Sequence, residues 1–341
     1  MFSRHLKYIL SDFIVSTLIL VTAACSQHAD TQIPDTQIPI PRELGWTDEG
    51  TVLEKGSPGS WDVSLGGAIS PGAMIKKNGT YFLYYIGADG DRSTDGGPRH
   101  RALGVAISSD GINFNKYAGN PILTFLPHNN EEEGIFSVAA MIDDTGEVLL
   151  YYGAMDAGSS TSTFVTSNVR LAVSNNGLQF TEVGDILLHE NSLVWGYSDE
   201  LFPVGAFRFE NTYYVYYIAK GKGAYWDLGL AWGSDKHKLT NSQAVIKSGD
   251  WIVGGCDAVQ LSNNKIALFI VRTPNWKKFY VEVRTASMEI PFNLGVSKGL
   301  YDVEDHALVY YDKESAKWFM YYHDRYGNIG VRSALIDSSI E

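Results

Sequence analysis

Carboxylates recur at five places along the 341-residue chain, each just ahead of an apolar, strand-like run. Asp62 follows Trp61 ahead of Ser70-Pro71-Gly72-Ala73-Met74, and Glu131, Glu132 and Glu133 precede Ser137-Val138-Ala139-Ala140-Met141. Asp199 and Glu200 stand directly before Leu201-Phe202-Pro203, Asp257 stands before Ala258-Val259, and Glu304, Asp305 and His306 precede the last such run. Clustered like charges raise one another's pKa, so carboxylates brought together this way are costly as packing alone. Acid–base chemistry has a use for them: one carboxyl stays protonated and donates, another is ionised and acts as base or nucleophile. Cleavage of a glycosidic bond needs that pairing.

Each candidate also has a plainer role. Asp62 could cap a turn before its strand, and the triple glutamate could be a solvated acidic loop. Asp257 and Asp305 read as structural groups or as contacts to substrate hydroxyls, and His306 as a donor to a sugar hydroxyl. The stretch Arg92–Arg101, with His100, is Gly-rich and basic within an acidic protein. It is either a solvated hairpin tip or an anion contact through Arg101 and its neighbours. Trp195 and Trp226 could stack on a sugar ring or simply pack. Cys256, beside an apolar strand start, reads as a small buried residue rather than a nucleophile.

The elements that would position these groups repeat. An aromatic-rich strand occurs as Tyr81–Tyr85, Val148–Tyr152, Tyr213–Tyr217, Ile266–Ile270 and Trp318–Tyr322. The spacing is roughly 50–70 residues, near that of propeller blades. Four copies lead to a second shared strand: Leu103–Ala106, Val169–Ala172, Leu228–Ala231 and Ile329–Arg332. The fourth unit is degenerate there, with Val281–Arg284. A small antiparallel sheet cannot bury both faces alone, whereas sheets packed face to face around an axis can. The pattern therefore predicts an all-β, five-bladed β-propeller in which the aromatics fill the wedges between blades. The last unit ends after three strands near Ile336, so counting assigns Thr51–Glu54 as its outer strand. In such a fold the five carboxylate positions converge at one end of the axis.

Pro71–Ile75, Gly79–Tyr85, Leu103–Phe114 and Asn120-Pro121-Ile122-Leu123 resemble the first blade of the five-bladed glycosidase superfamily, which includes glycoside hydrolase families 32, 43, 62, 68, 117 and 130. A weaker copy lies at Ala172–Phe180. The resemblance covers nearly all of the chain beyond residue 45 and implies a glycoside hydrolase without cofactor or metal ligands. Family 43 carries its base Asp just before a Pro in blade one, where this chain has Ser70. The resemblance passes the base role to Asp62, the acid role to Asp199 or Glu200, and the pKa-tuning role to Glu133. Glu200 has the longer reach of its pair. Trp61, Arg101, Asp257, Asp305 and His306 are the implied substrate contacts, and in family 117-like enzymes a His serves as acid, which points to His306 or His100. A family 130-like phosphorylase, with Arg101 holding phosphate, and a non-catalytic surface glycan-binding protein are the competing expectations.

The remaining sequence bounds the setting. Arg4, His5 and Lys7 precede a short apolar run, Phe13–Val21, that ends in Thr22-Ala23-Ala24-Cys25. This reads as a signal peptide over residues 1–25 resembling a bacterial lipobox, although Thr22 stands where Leu is usual. A lipidated Cys25 would anchor the protein to the cell envelope and leave Cys256 without a disulfide partner. Residues 26–45 contain Asp-Thr-Gln-Ile-Pro twice and read as a tether, with the folded domain over 46–341. A formal charge of −12 argues against a nucleic-acid partner; it suits a neutral substrate handled by carboxylates, and solubility alone also accounts for it.

Overall fold

The computed structural model describes residues 46–335 apart from 64–68, 90–99, 125–132, 158–164, 189–197, 222–225, 248, 250, 263, 276 and 304–306. All of these lie in one compact unit spanning 32–341, and no helix occurs among the described residues. The expectations for Cys25, the tether, Arg92–Arg99, Glu131, Glu132, Trp195, Asp305 and His306 fall outside the description.

After β1 (Thr47–Leu53) the chain runs as antiparallel meanders. The first contains β2 (Ser70–Lys77), β3 (Thr80–Ala88) and β4 (His100–Ser108), edged by the short β5 (Asn115–Lys116) and β6 (Leu123–Thr124). The second contains β7 (Glu133–Ile142), β8 (Val148–Ala157), the short β9 (Val165–Thr166), β10 (Val169–Ser174) and β11 (Thr181–Leu187). A two-residue parallel pairing of β4 with β7 joins these two meanders into one sheet. The next sheet is β12 (Ser198–Phe209), β13 (Thr212–Gly221), β14 (Trp226–Gly233) and β15 (Asn241–Ile246); then come β16 (Ile252–Ser262), β17 (Lys265–Thr273), β18 (Phe279–Ser287) and β19 (Gly299–Val303). The last sheet is β20 (Ala307–Asp312), β21 (Lys317–His323) and β22 (Ile329–Leu335), with β1 as its fourth strand, Leu53 opposite Ile329. The outer-strand position assigned to Thr51–Glu54 is thus occupied by β1, whose last residue is Leu53.

Local chemistry sets these hairpins. Between β2 and β3 the two-residue loop Asn78-Gly79 has φ of 51° and 77°, the positive pair that a twisted hairpin requires and that Asn and Gly tolerate best. The recurring aromatic strands are β3, β8, β13, β17 and β21, the second strand of each unit. Their side chains alternate between two neighbours, as strand geometry demands. Phe82 and Tyr84 pack with Val138, Leu150 and Tyr152, whereas Tyr81, Leu83 and Tyr85 pack with Phe319 and Tyr321. Tyr84, Tyr85, Tyr151, Tyr152, Tyr216, Tyr217 and Tyr321 are all essentially inaccessible.

Three of these tyrosines also bolt one meander to the next. Tyr321 Oη donates to the Gly111 carbonyl at 2.8 Å, Tyr84 Oη to Gly177 at 3.0 Å, and Tyr216 Oη to Pro291 at 2.7 Å. Each acceptor lies in the turn after the third strand of the neighbouring unit. Two of those turns are built alike: Ser108 Oγ accepts from Gly111 N–H and Asp110 Oδ1 from Ile112 and Asn113 N–H, with Ser174 and Asn176 repeating the arrangement. The aromatics therefore serve as core, and the buried hydroxyls of Tyr84, Tyr216 and Tyr321 are satisfied by these turns. The first strands contact one another in succession, β2 with β7, β7 with β12, β12 with β16 and β16 with β20, and β20 contacts β2.

Candidate active site

The five first strands enclose two adjoining cavities. The proximal one, about 350 Å³, lies at their starts and is walled by Ser70, Ser137, Phe202, Cys256 and Leu308 among others. The distal one, about 430 Å³, lies along their later halves and reaches Lys76, Gln260, Tyr310 and Asp312. Gly72, Val204, Asp257 and Leu308 belong to both walls, so the two cavities adjoin along one channel axis with Asp257 at the waist between them.

Asp257 is the only described carboxylate in the proximal wall. β16 carries it inward beside buried Cys256, and its Oδ2 accepts one hydrogen bond, from the Val309 amide of β20 at 2.8 Å. The channel leaves the side chain partly accessible, yet protein packs so densely around it that desolvation dominates. Burial pushes the carboxyl well above the usual carboxylate range, and the Val309 N–H opposes this only in part. A carboxyl shifted in that direction keeps its proton to higher pH than an ordinary one, as a proton donor must.

Around it the proximal wall combines aromatic faces with a few polar groups. Phe202 stacks on Trp226 with ring centroids 5.5 Å apart and planes 15° from parallel, and Phe136 lies 5.9 Å from Phe202. The Arg101 guanidinium sits 3.4 Å over the Phe136 ring, a stacking that fixes its plane. Ser70, Ser137 and His323 complete the polar lining. Ser137 Oγ is buried without a hydrogen-bond partner among the described residues. An apolar concavity with few convergent polar groups and a proton-retaining carboxyl is the usual form of a small-molecule site.

The anticipated site residues divide accordingly. Asp257, Arg101 and Trp226 line the proximal cavity. Asp62 does not border either cavity: it is 3 % exposed, with Lys116 Nζ at 2.6 Å and Tyr85 Oη at 3.0 Å on its Oδ2. Trp61 beside it packs against Tyr85 with its ring tilted by 34°. Both depend on glycines of the adjacent strands, because a Cβ on Gly104 would lie 2.6 Å from the Trp61 ring and one on Gly87 2.6 Å from Asp62 Cβ. Glu200 is buried and is not among the lining residues of either cavity, and its backbone bridges Ser167. Glu133 opens β7 and Asp199 lies in β12, but their side chains are outside the description. Phe136, Phe202, Ser137 and His323 are additions that the sequence reading lacks. His323 merely closes the aromatic run Trp318–Tyr322, and no local motif marks it.

The architecture can be set beside known proteins. No family model matches the chain, and no curated protein sequence is significantly similar to it. Solved structures do match. A glycosyl hydrolase from Bacteroides ovatus superposes with a TM-score of 0.57 at 14% identity, covering 86% of this chain and 92% of its own. The β-1,2-mannobiose phosphorylase of Listeria innocua gives 0.63 at 12% identity, covering 86% and 97%. The family 32 β-fructofuranosidase of Bombyx mori gives 0.55 at 15% identity, covering 84% of this chain and 61% of its own. The fold is that of the propeller-type glycosidases. At these identities the likeness extends to architecture alone, and chemistry must be argued from the residues.

Proposed function

We propose that this chain is a carbohydrate-active enzyme on a five-bladed β-propeller that cleaves glycosidic bonds by hydrolysis, with Asp257 as general acid. The observation that carries the reading is the carboxyl at the waist of the channel, desolvated and held by a single N–H, beneath an aromatic-lined cavity. Phe202, Trp226 and Phe136 offer apolar faces for sugar rings, and Ser70, Ser137 and His323 offer hydroxyl contacts. The ionised partner that activates water comes from Glu133, Asp199 or Glu200, on the two strands that open beside this cavity. Asp62 is assigned a structural role as the anchor that seats Trp61 against β3 and β4.

A screen of aryl glycosides and oligosaccharides tests the reading, since a general acid matters in proportion to how poor the leaving group is. Asp257→Asn is expected to slow cleavage of alkyl or sugar leaving groups by about 10²–10⁴-fold. Dinitrophenyl glycosides, which leave without protonation, should suffer far less. Equal losses with both classes would exclude Asp257 as the acid.

One observation favours a second reading, phosphorolysis: the oriented Arg101 guanidinium in the proximal wall suits a phosphate as attacking group. Phosphate-dependent turnover yielding a sugar 1-phosphate would select it over hydrolysis. The reading also includes an envelope-anchored protein lipidated at Cys25. Cys25→Ala should move it from the membrane to the soluble fraction, and unchanged fractionation would remove that part.

A further inference from the structure

The distal cavity, about 430 Å³, is larger than the proximal one, about 350 Å³, and adjoins it at Asp257. It runs from Asp257 to the opposite face, between the later halves of β2, β7, β12, β16 and β20. Three alanines on three different strands, Ala140, Ala206 and Ala258, line it and remain partly accessible despite lying on the innermost strands. Beyond them the wall becomes polar, with Gln260, Lys76 and Asp312. A cavity of this volume with polar groups at its mouth has room for water, and it reaches the carboxyl from the side that a glycan in the proximal cavity leaves open.

We propose that the distal cavity is a water and proton conduit that recharges Asp257 from the face opposite the substrate. This rests on the glycosidase reading for its purpose, although the conduit itself is a property of the fold. In each turnover the Asp257 O–H bond breaks, and its proton goes to the departing glycosidic oxygen as the C–O bond breaks. A water attacks the sugar carbon and gives a proton to the base, which returns it to bulk. Asp257 is left as a carboxylate in a poorly solvating site and regains a proton through the water column from the distal mouth. Product still seated above does not block that path, so recharging need not wait for its release.

The first measurement needs no variant. In protein labelled with ¹³C at alanine methyls, magnetisation transfer from bulk water is expected at Ala140, Ala206 and Ala258 and at the Val309 amide. Dry methyls would overturn the proposal. Ala140→Met and Ala206→Met then plug the channel from different strands, each away from the proximal wall. Both are expected to abolish water transfer to the Val309 amide. They should also lower kcat about tenfold with KM unchanged and enlarge the solvent deuterium isotope effect. Ala206→Ser, which keeps the channel open, should behave as the parent. Plugged variants with parental kcat and isotope effect would overturn the conduit. A wet channel in a protein without glycosidase turnover would overturn the recharging role and the functional reading together, while the column itself would stand.

Discussion

Asp257 and Asp312 both border the channel, and their surroundings push their pKa values in opposite directions. At the distal mouth Asp312 is 1 % exposed. Burial alone would raise its pKa, but hydrogen bonds from Ser315, from Tyr81 Oη at 2.7 Å and from Lys76 Nζ at 3.0 Å outweigh it and hold the carboxyl below the usual range. Asp143 is treated alike: Thr145 and Lys236, the latter at 3.0 Å, keep it ionised against its burial. These carboxylates clamp neighbouring units, Asp312 to Lys76 of β2 and Asp143 to Lys236 in the turn after β14. Asp257, with one N–H and no cation among the described residues, goes the other way. Donors and cations, rather than depth, decide the state. The distal end uses its charges to hold sheets together, and the proximal end leaves one carboxyl undersupported, as a donor requires.

The largest effect that could break this comparison is the loss of catalysis in Asp257→Asn described above. If Asp312→Asn abolished cleavage to the same degree at unchanged folding, the division of labour between the two ends would be wrong.

The next effect is on stability, and its sign differs between the two ends. Asp312 has a lowered folded pKa, so its contribution is fully present above the ordinary carboxylate pKa and is lost as pH falls through the folded value. Asp312→Asn is expected to cost roughly 2–4 kcal/mol at pH 7, below the full figure for a buried pair because Lys76 keeps some solvent, and much less near pH 3. Asp257 has a raised folded pKa, so the parent loses stability as pH rises from the ordinary carboxylate value towards the folded one. Asp257→Asn removes that penalty and should gain on the parent between pH 4 and neutrality. Denaturant unfolding at several pH values measures both slopes. Parallel slopes for the two variants would refute the contrast.

Much of the fold is legible in the sequence because packing leaves a periodic trace. A strand that faces a neighbouring sheet on each side must be apolar at every position, and Tyr81–Tyr85 and its copies show this without any coordinates. The place of β1 follows from counting strands. The site is less legible because burial and isolation are tertiary properties. Asp62 and Asp257 look equivalent ahead of their strands, yet Asp62 meets Lys116 from β5 and the glycine gaps of β3 and β4, while Asp257 meets a bare amide. The partners that separate them lie 23–54 residues from Asp62 and 52 from Asp257, beyond the reach of any local motif.

The smallest effect offers the sharpest reading of the comparison, because it asks whether the proximal end sacrifices stability. Ser137 and Ser315 are serines at opposite ends of the channel. Ser315 Oγ donates to the Asp312 carboxylate, a charge-assisted bond, so Ser315→Ala should cost about 1.5 kcal/mol. Ser137 Oγ is buried in the proximal wall with no partner among the described residues. Ser137→Ala therefore removes an unsatisfied group and should be neutral or stabilise by up to about 1 kcal/mol. A hydroxyl kept at a cost is explained if it meets a ligand, so the same variant should raise KM for a cleaved glycoside several-fold while leaving kcat close to the parent's. Unfolding midpoints and Michaelis parameters for this pair decide the matter. If Ser137→Ala destabilises as much as Ser315→Ala and leaves KM unchanged, Ser137 is structural and the proximal wall is no less self-satisfied than the distal one.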